Sequence, residues 1–173
     1  MENMSTHLSM LALEHTHELF LSTLLVEESE ILQYMRLAIE EGRKAVSVCG
    51  DNPPVGCVLV RDGVVFARGH TNSPGNPHAE AMAINQLGTL DGEVVAFVTL
   101  EPCSFHGRTP SCAQTLIDAG VKTVYIGIVD PDPRNNGRGI AKLRGSGVDV
   151  HVGILEKEIS TSLEGYLGKK PIT

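Results

Sequence analysis

Apolar side chains recur along the chain with two spacings, and each spacing predicts a different element. From Ile31 onward, apolar residues at i, i+4, i+7 and i+8 predict a helix over residues 29–46. The apolar runs 55–60 and 64–67 then flank Asp62-Gly63, a dipeptide typical of two-residue hairpin turns. This region is therefore predicted to form a helix followed by a β-hairpin.

The rest of the chain alternates continuous apolar runs with helical patterns. We expect strands over residues 94–100, 121–129 and 148–153, and helices over residues 78–87, 111–119, 139–145 and 154–166. Strands that alternate with helices favour a central sheet covered by helices on both faces, which is the α/β class.

Charge is distributed unevenly along the chain. Residues 1–35 hold six glutamates and neither Lys nor Arg, whereas the whole chain has a net charge of −7. This shift predicts an acidic N-terminal helical extension over residues 1–28 and a main domain over residues 29–173. The extension has apolar residues at nearly helical spacing, so it is either a helix that packs or mediates oligomer contacts, or a solvated tail.

Composition narrows the classes of function. The chain begins without the basic segment of a signal peptide, so we expect a cytoplasmic protein whose four cysteines are reduced thiols or metal ligands. No apolar run reaches the length of a membrane span. A net charge of −7, with four Phe, three Tyr and no Trp, disfavours a nucleic-acid partner.

Two short segments carry residues with metal-ligand chemistry. His78-Ala79-Glu80 opens one predicted helix, and Cys103 and Cys112 flank the start of the next. One His and two Cys are three protein ligands of a catalytic zinc, with the fourth position left for water. Because zinc lowers the pKa of bound water to about 7, Glu80 becomes the natural proton carrier. Taken singly, each residue also has a structural explanation as a surface histidine or a core thiol.

The two segments together resemble the zinc-dependent cytidine deaminase superfamily. Eight residues separate Cys103 from Cys112, and this long loop, LEPCSFHGRTPSC, is similar to the deaminase domain of the riboflavin-pathway bifunctional deaminase/reductase. The resemblance spans about residues 34–166. It implies a three-layer α/β/α sandwich with a central mixed sheet of about five strands, a bound Zn²⁺, and hydrolytic deamination of a diaminohydroxyphosphoribosylaminopyrimidine.

The resemblance also implies six substrate-binding positions, which are Asn52, His70, Arg108, Thr109, Asp130 and Asp132. Asn52 and His70 would contact the substrate ring, and Arg108 would hold its phosphate. All of these positions except Thr109 also have a structural alternative as a turn, strand-end or surface residue.

Three features depart from the family pattern, and all lie on the substrate side. Asp132 stands where the family has Asn, and a carboxylate accepts hydrogen bonds but cannot donate them. Phe105 stands where the family has His, and the loop between His70 and His78 is about one residue longer. A tailoring deaminase that acts on another N-heterocycle or nucleotide is therefore an alternative, as are a non-catalytic zinc-stabilised binding module and an RNA-editing deaminase.

The resemblance also implies an oligomeric state and a separate reductase. Members are usually homodimers or homotetramers, so a homo-oligomer that binds a small phosphorylated aminopyrimidine is expected. The sequence has no segment resembling the family's reductase before Thr173. We therefore expect the reduction that follows deamination to be carried out by another protein.

Overall fold

The computed structural model describes residues 28–86, 93–105 and 110–167 of the 173-residue chain. The helices are α1 (residues 28–43), α2 (Ala79–Ile84), α3 (Cys112–Asp118), α4 (Arg138–Gly145) and α5 (Glu156–Leu163). The strands are β1 (Gly56–Arg61), β2 (Val64–His70), β3 (Val95–Leu100), β4 (Thr123–Ile128) and β5 (Asp149–Val152). A 3-10 turn, Lys44–Ser47, follows α1. Each predicted strand and helix of the main domain has a counterpart here.

The described strands form one mixed sheet in the order β2-β1-β3-β4-β5. β1 is antiparallel to both of its neighbours, whereas β3, β4 and β5 are parallel. The predicted mixed sheet of about five strands is therefore confirmed.

The β1–β2 hairpin turns at Asp62 and Gly63, as the sequence predicts. Their φ angles of 51° and 72° place both residues in the left-handed region that a two-residue type I′ turn requires. The second strand is longer than predicted, because pairing continues as far as His70, which lies opposite Gly56.

Helices cover both faces of the sheet. On one face, α2, α3 and α4 pack over the main apolar core, whose fully buried members include Cys57, Leu59, Ala83, Val98, Leu116, Val124, Ile126 and Leu143. On the other face, the part of α1 after Gln33 lies against β1, where Ala38 and Gly42 meet Gly56. On the same face α5 lies against β4, where Ile159 meets Gly127. This is the predicted three-layer α/β/α sandwich.

Close contact between α1 and β1 depends on the absence of a side chain at Gly56. A Cβ atom on Gly56 would lie 1.8 Å from the carbonyl oxygen of Ala38. The helix backbone therefore rests directly on the strand backbone at this point.

At one edge of the sheet β2, β3 and β4 end and β1 begins. β3 and β4 end there at Leu100 and Ile128, which pair in register. Since β1 runs in the opposite direction, its first residue Gly56 lies at the same edge, beside the last residue of β2. Segments that carry candidate site residues leave the sheet at this edge, as is usual for ligand sites of open α/β sheets.

The chain divides into two compact units, Met1–Gln33 and Tyr34–Thr173. Of the first unit the structure describes residues 28–33, which are helical. The predicted acidic extension over residues 1–28 otherwise lies outside the described residues, so the extension stays a prediction. Within the described ranges, none of the helices has the length and apolar character needed to cross a bilayer.

Replacing Gly56 with alanine tests the helix–strand contact. Because the new methyl group would overlap the Ala38 carbonyl, we expect Gly56→Ala to lower the free energy of unfolding by about 1–3 kcal/mol. Chemical denaturation measures this change. Gly145→Ala is the matched control, since a Cβ there meets nothing within 4 Å and alanine favours the helix. Equal stability of the two variants would contradict the contact.

Candidate active site

Three predicted metal ligands meet at the sheet edge. His78 immediately precedes α2, Cys103 follows β3, and Cys112 is the first residue of α3. His78 Nδ1 lies 3.3 Å from Cys112 Sγ and 3.8 Å from Cys103 Sγ. The three ligand atoms all lie within 4.8 Å of one another.

This arrangement fits zinc. Tetrahedral zinc with Zn–S bonds of about 2.3 Å and Zn–N bonds of about 2.0 Å separates its ligand atoms by roughly 3.5 Å, close to the observed distances. The backbone N–H of Cys112 donates to Cys103 Sγ at 3.2 Å, which stabilises a thiolate there. His78, Cys103 and Cys112 can therefore hold the metal with little rearrangement.

The surroundings of the two cysteine ligands shift the pKa values of their thiol groups. The hydrogen bond between the Cys112 and Cys103 side chains lowers the pKa of Cys103 to about 4, burial opposes this effect, and His78 and the Cys112 backbone N–H add to it. That same hydrogen bond, together with burial, raises the pKa of Cys112. The lowered pKa of Cys103 favours the thiolate form that zinc requires, and binding of the metal would remove the proton of Cys112.

Glu80 lies in the first turn of α2, two residues from His78, and is 3% exposed. Burial raises the pKa of its carboxyl group, and the neighbouring Cys103 raises it further. A carboxyl group with a raised pKa can both accept and donate a proton near neutral pH. This position suits a proton carrier.

A cavity of about 560 Å³ opens over these residues. Small-molecule sites commonly measure about 300–1,000 Å³. His78, Glu80 and Cys103 line it together with apolar side chains such as Val55 and Leu100. A ligand of nucleotide size can therefore reach the metal ligands and the buried carboxyl group.

Of the six residues predicted to bind the substrate, only some are found in the described lining of the cavity. Asn52, Asp130 and Asp132 line the cavity. Arg108 and Thr109 lie outside the described residues. His70 is not among the described residues that line the cavity. The roles of all six residues in substrate binding stay predictions.

His70 is held by a carboxylate of α1. Its Nδ1 lies 2.9 Å from Glu41 Oε1, and the other oxygen of Glu41 accepts from Lys44 Nζ at 2.6 Å. Burial opposes ionisation of Glu41, but the hydrogen bonds from Lys44 and His70 lower its pKa overall. Glu41 therefore fixes the orientation of the His70 ring.

Glu101 is an important residue that the sequence analysis missed. It is 3% exposed, and its carboxylate accepts four backbone N–H groups from a later part of the chain. One oxygen accepts from Asp130 and Gly137 at 3.1 and 2.9 Å, and the other from Gly139 and Ile140 at 2.9 and 3.2 Å. An acidic residue placed directly after an apolar strand was the available signal.

Asn135 also links the segment after β3 with the loop between β4 and α4. It is fully buried, and its Oδ1 accepts from the backbone N–H of Ser104 at 2.9 Å. Its Nδ2 contacts Asp130 Oδ2 at 3.3 Å and the Pro102 carbonyl at 3.4 Å. In the sequence Asn135 is one polar residue among turn formers, and nothing there signals its burial.

Two of the three departures from the family pattern, Asp132 and Phe105, contact one shared neighbour, Arg134. Asp132 Oδ1 accepts from Arg134 Nε at 3.0 Å, and this pairing lowers the pKa of Asp132. The guanidinium carbon of Arg134 lies 4.8 Å from the ring centroid of Phe105. Asp132 and Phe105 line the cavity themselves, and both also fix the position of Arg134, which was not predicted from the sequence as a site residue.

Removal of a ligand tests the metal assignment. We expect His78→Ala to retain the fold and lose stoichiometric zinc, because two sulfurs alone leave the site incomplete. Metal analysis of purified protein measures this. Cys49→Ala is the control, since buried Cys49 is not part of the ligand cluster and should not alter zinc content. Full zinc content in His78→Ala would contradict the assignment.

Substitution of Glu101 tests the hydrogen bonds that link the end of β3 to residues 130–140. In Glu101→Gln an NH₂ group faces backbone N–H donors, so we expect a loss of about 1–3 kcal/mol in the free energy of unfolding. Chemical denaturation again provides the measurement. Glu93→Gln, at an exposed position, is the control and should be neutral. A neutral Glu101→Gln would show that the carboxylate is dispensable.

Comparison with known proteins agrees with this geometry. Residues 28–128 match the family model described as the cytidine and deoxycytidylate deaminase zinc-binding region. The chain is 45% identical over 134 residues to the chloroplastic riboflavin biosynthesis protein PYRD of Zea mays, and 45% identical over 137 residues to RibD of Chlamydia trachomatis. These alignments cover 78% and 79% of this chain but 34% and 36% of the relatives, so the chain spans about a third of their length.

Solved structures show the same relationship. A diaminohydroxyphosphoribosylaminopyrimidine deaminase/5-amino-6-(5-phosphoribosylamino)uracil reductase from Thermotoga maritima is 40% identical, with a TM-score of 0.76 over 81% of this chain and 41% of that one. RibD of Acinetobacter baumannii is 37% identical, with a TM-score of 0.77 over 82% of this chain and 40% of that one.

These matches confirm the predicted fold, the zinc cofactor and the resemblance to riboflavin-pathway deaminases. The family match covers more than half of the chain and includes His78, Glu80, Cys103 and Cys112. The chain therefore belongs to the cytidine and deoxycytidylate deaminase zinc-binding family, whose members are hydrolases that act on C–N bonds.

Proposed function

We propose that this chain hydrolytically deaminates the diaminohydroxyphosphoribosylaminopyrimidine intermediate of riboflavin biosynthesis. The observation that carries the proposal is buried Glu80 beside the His78–Cys103–Cys112 cluster, at the base of a cavity of nucleotide size. The names of the relatives direct the choice of substrate, since RibD and PYRD are riboflavin biosynthesis proteins.

The chemistry is the replacement of an amine by water. Zinc, when held by His78, Cys103 and Cys112, supplies Lewis acidity that makes water a competent nucleophile near neutral pH. A carboxyl oxygen of Glu80 takes a proton from the attacking water and delivers it to the departing amine nitrogen. A C–O bond forms, the C–N bond breaks, and ammonia leaves.

The cavity wall orients the substrate for this step. Asn52 offers both a donor and an acceptor to the ring from the loop before β1. Thr71 fixes that loop, because its Oγ1 donates to the Pro53 carbonyl at 2.8 Å and accepts from Val55 N at 3.0 Å. Asp130 also lines the cavity, and burial raises the pKa of its carboxyl group.

A second candidate is a tailoring deaminase that acts on another N-heterocycle or nucleotide. The observation that favours it is that two of the three departures from the family pattern, Phe105 and Asp132, line the cavity. Two further alternatives receive less support. A zinc-stabilised binding module has no need for buried Glu80, and the net charge of −7 disfavours an RNA substrate.

Within this proposal, the chain works in the cytoplasm as a homodimer or homotetramer. The support is the resemblance to a family of oligomeric deaminases. The Thermotoga relative combines a deaminase with a reductase, so a reductase activity would consume the product of this chain. Sedimentation of the purified protein measures the oligomeric state directly.

Ammonia release from the zinc-loaded protein tests the function. The panel contains the diaminohydroxyphosphoribosylaminopyrimidine, cytidine, deoxycytidylate and guanine. Rapid release from the riboflavin precursor alone is the expected result. Release from another amine would favour the tailoring deaminase, and zinc binding with no release from any amine would favour the binding module.

Glu80→Gln tests the proton carrier. The amide has nearly the same shape and cannot carry the proton, so we expect unchanged zinc content and a fall in kcat of at least about 100-fold. Ammonia release and metal analysis on the same preparation measure both effects. Glu93→Gln should retain full activity. A Glu80→Gln enzyme with near-normal kcat would remove Glu80 from the mechanism.

A further inference from the structure

Arg134 and Phe105 together form part of the cavity wall. The guanidinium group of Arg134 lies over the Phe105 ring at 4.8 Å, within the range of a cation–π contact. Both residues line the cavity that contains Glu80 and the metal ligands. A charged group is thus supported by an aromatic face beside the proposed reaction centre.

Asp132 fixes the same guanidinium group. Its carboxylate accepts from Arg134 Nε at 3.0 and 3.1 Å and from Arg134 Nη2 at 2.5 Å. The backbone N–H of Asp132 in turn donates to Asp130 Oδ1 at 3.0 Å. The guanidinium plane is therefore constrained by an ion pair at its edge and by an aromatic ring at its face.

The charges around the cavity give this arginine a specific role. The described lining includes five acidic residues, which are Asp51, Glu80, Glu101, Asp130 and Asp132. In that described lining, Arg134 is the one Lys or Arg side chain. Asp132 engages Nε and Nη2 of the guanidinium group, and in the described part of the chain no hydrogen bond involves Nη1. The Nη1 donors therefore remain for an anionic ligand.

We propose that Arg134 is a further residue that binds the phosphate group of the substrate, in addition to the predicted contact from Arg108, and that Asp132 and Phe105 position its guanidinium group for this contact. The inference rests on the proposed function, because it assigns a ligand group within the same cavity. It makes Arg134 a residue that selects phosphorylated over unphosphorylated substrates. Arg134, Asp132 and Phe105 then belong to one phosphate-binding arrangement.

Binding of ribose 5-phosphate tests the assignment without any need for turnover. Calorimetric titration compares the zinc-loaded wild type with Arg134→Gln and with Arg36→Gln, an exposed arginine of α1 outside the cavity. Loss of a charged hydrogen bond to phosphate should weaken binding by about tenfold or more in Arg134→Gln. Arg36→Gln should bind as the wild type does. Equal affinities in all three proteins, or no binding by the wild type, would overturn the proposal.

Two further variants separate the phosphate contact from a structural role. Arg134→Lys retains the charge and should recover part of the affinity, although it lacks the guanidinium fork. Phe105→Leu removes the aromatic face and should weaken binding by about two- to fivefold. Equal zinc content in every variant is the control for folding. Loss of affinity in Arg134→Lys as complete as in Arg134→Gln would contradict a role for charge.

Kinetics distinguish failure of this inference from failure of the proposed function. With the phosphorylated precursor, Arg134→Gln should raise KM by about tenfold and leave kcat almost unchanged, whereas the dephosphorylated precursor should show no such difference. An active wild type with an unchanged KM in Arg134→Gln would overturn the inference alone. A wild type that does not deaminate the precursor would overturn the proposed function, and the titration would still decide whether Arg134 binds phosphate.

Discussion

The carboxylate of Glu101 is the constraint on which the active site depends. It lies between the end of β3 and the start of α4, and it accepts four backbone N–H groups in a setting almost closed to water. A buried carboxylate is tolerated when it is satisfied in this way. Cys103 follows Glu101 by two residues, and the backbone N–H of Asp130 donates to Glu101, so one side chain fixes both a metal ligand and a second residue of the cavity lining.

The residues proposed for catalysis and those proposed for substrate selection are held in place by different parts of the fold. His78, Glu80 and Cys112 lie at the first turns of short helices that pack on the sheet, so the core fixes their positions. Phe105 and Arg134 belong to connecting segments that are held mainly by side-chain contacts. Substitution in these segments can alter the ligand without disturbing the metal site, and Phe105 and Asp132 both lie in them.

The sequence predicted those parts of the molecule that local chemistry determines. Asp62-Gly63 specifies the hairpin turn by itself, and the metal ligands follow from short motifs at a helix start and a strand end. Glu101 and Arg134 could not be found in this way. The four donors to Glu101 lie 29 to 39 residues further along the chain, and the cation–π contact of Arg134 joins two separate loops. Such pairings depend on the order of strands in the sheet, which the local pattern does not specify.

The distance along the chain between Glu101 and its donors also has a consequence for the order of folding. The last of these donors is the backbone N–H of Ile140, so a ribosome must synthesise α4 before the strand end that precedes Cys103 can adopt its final form. Contacts of this long range form late, because the intervening chain must first be ordered. The complete set of hydrogen bonds that fixes the segment before Cys103 therefore exists only once α4 has packed on the sheet. A chain whose translation stops before α4 would lack the Gly139 and Ile140 donors, and one oxygen of Glu101, two residues before Cys103, would have neither of its backbone partners.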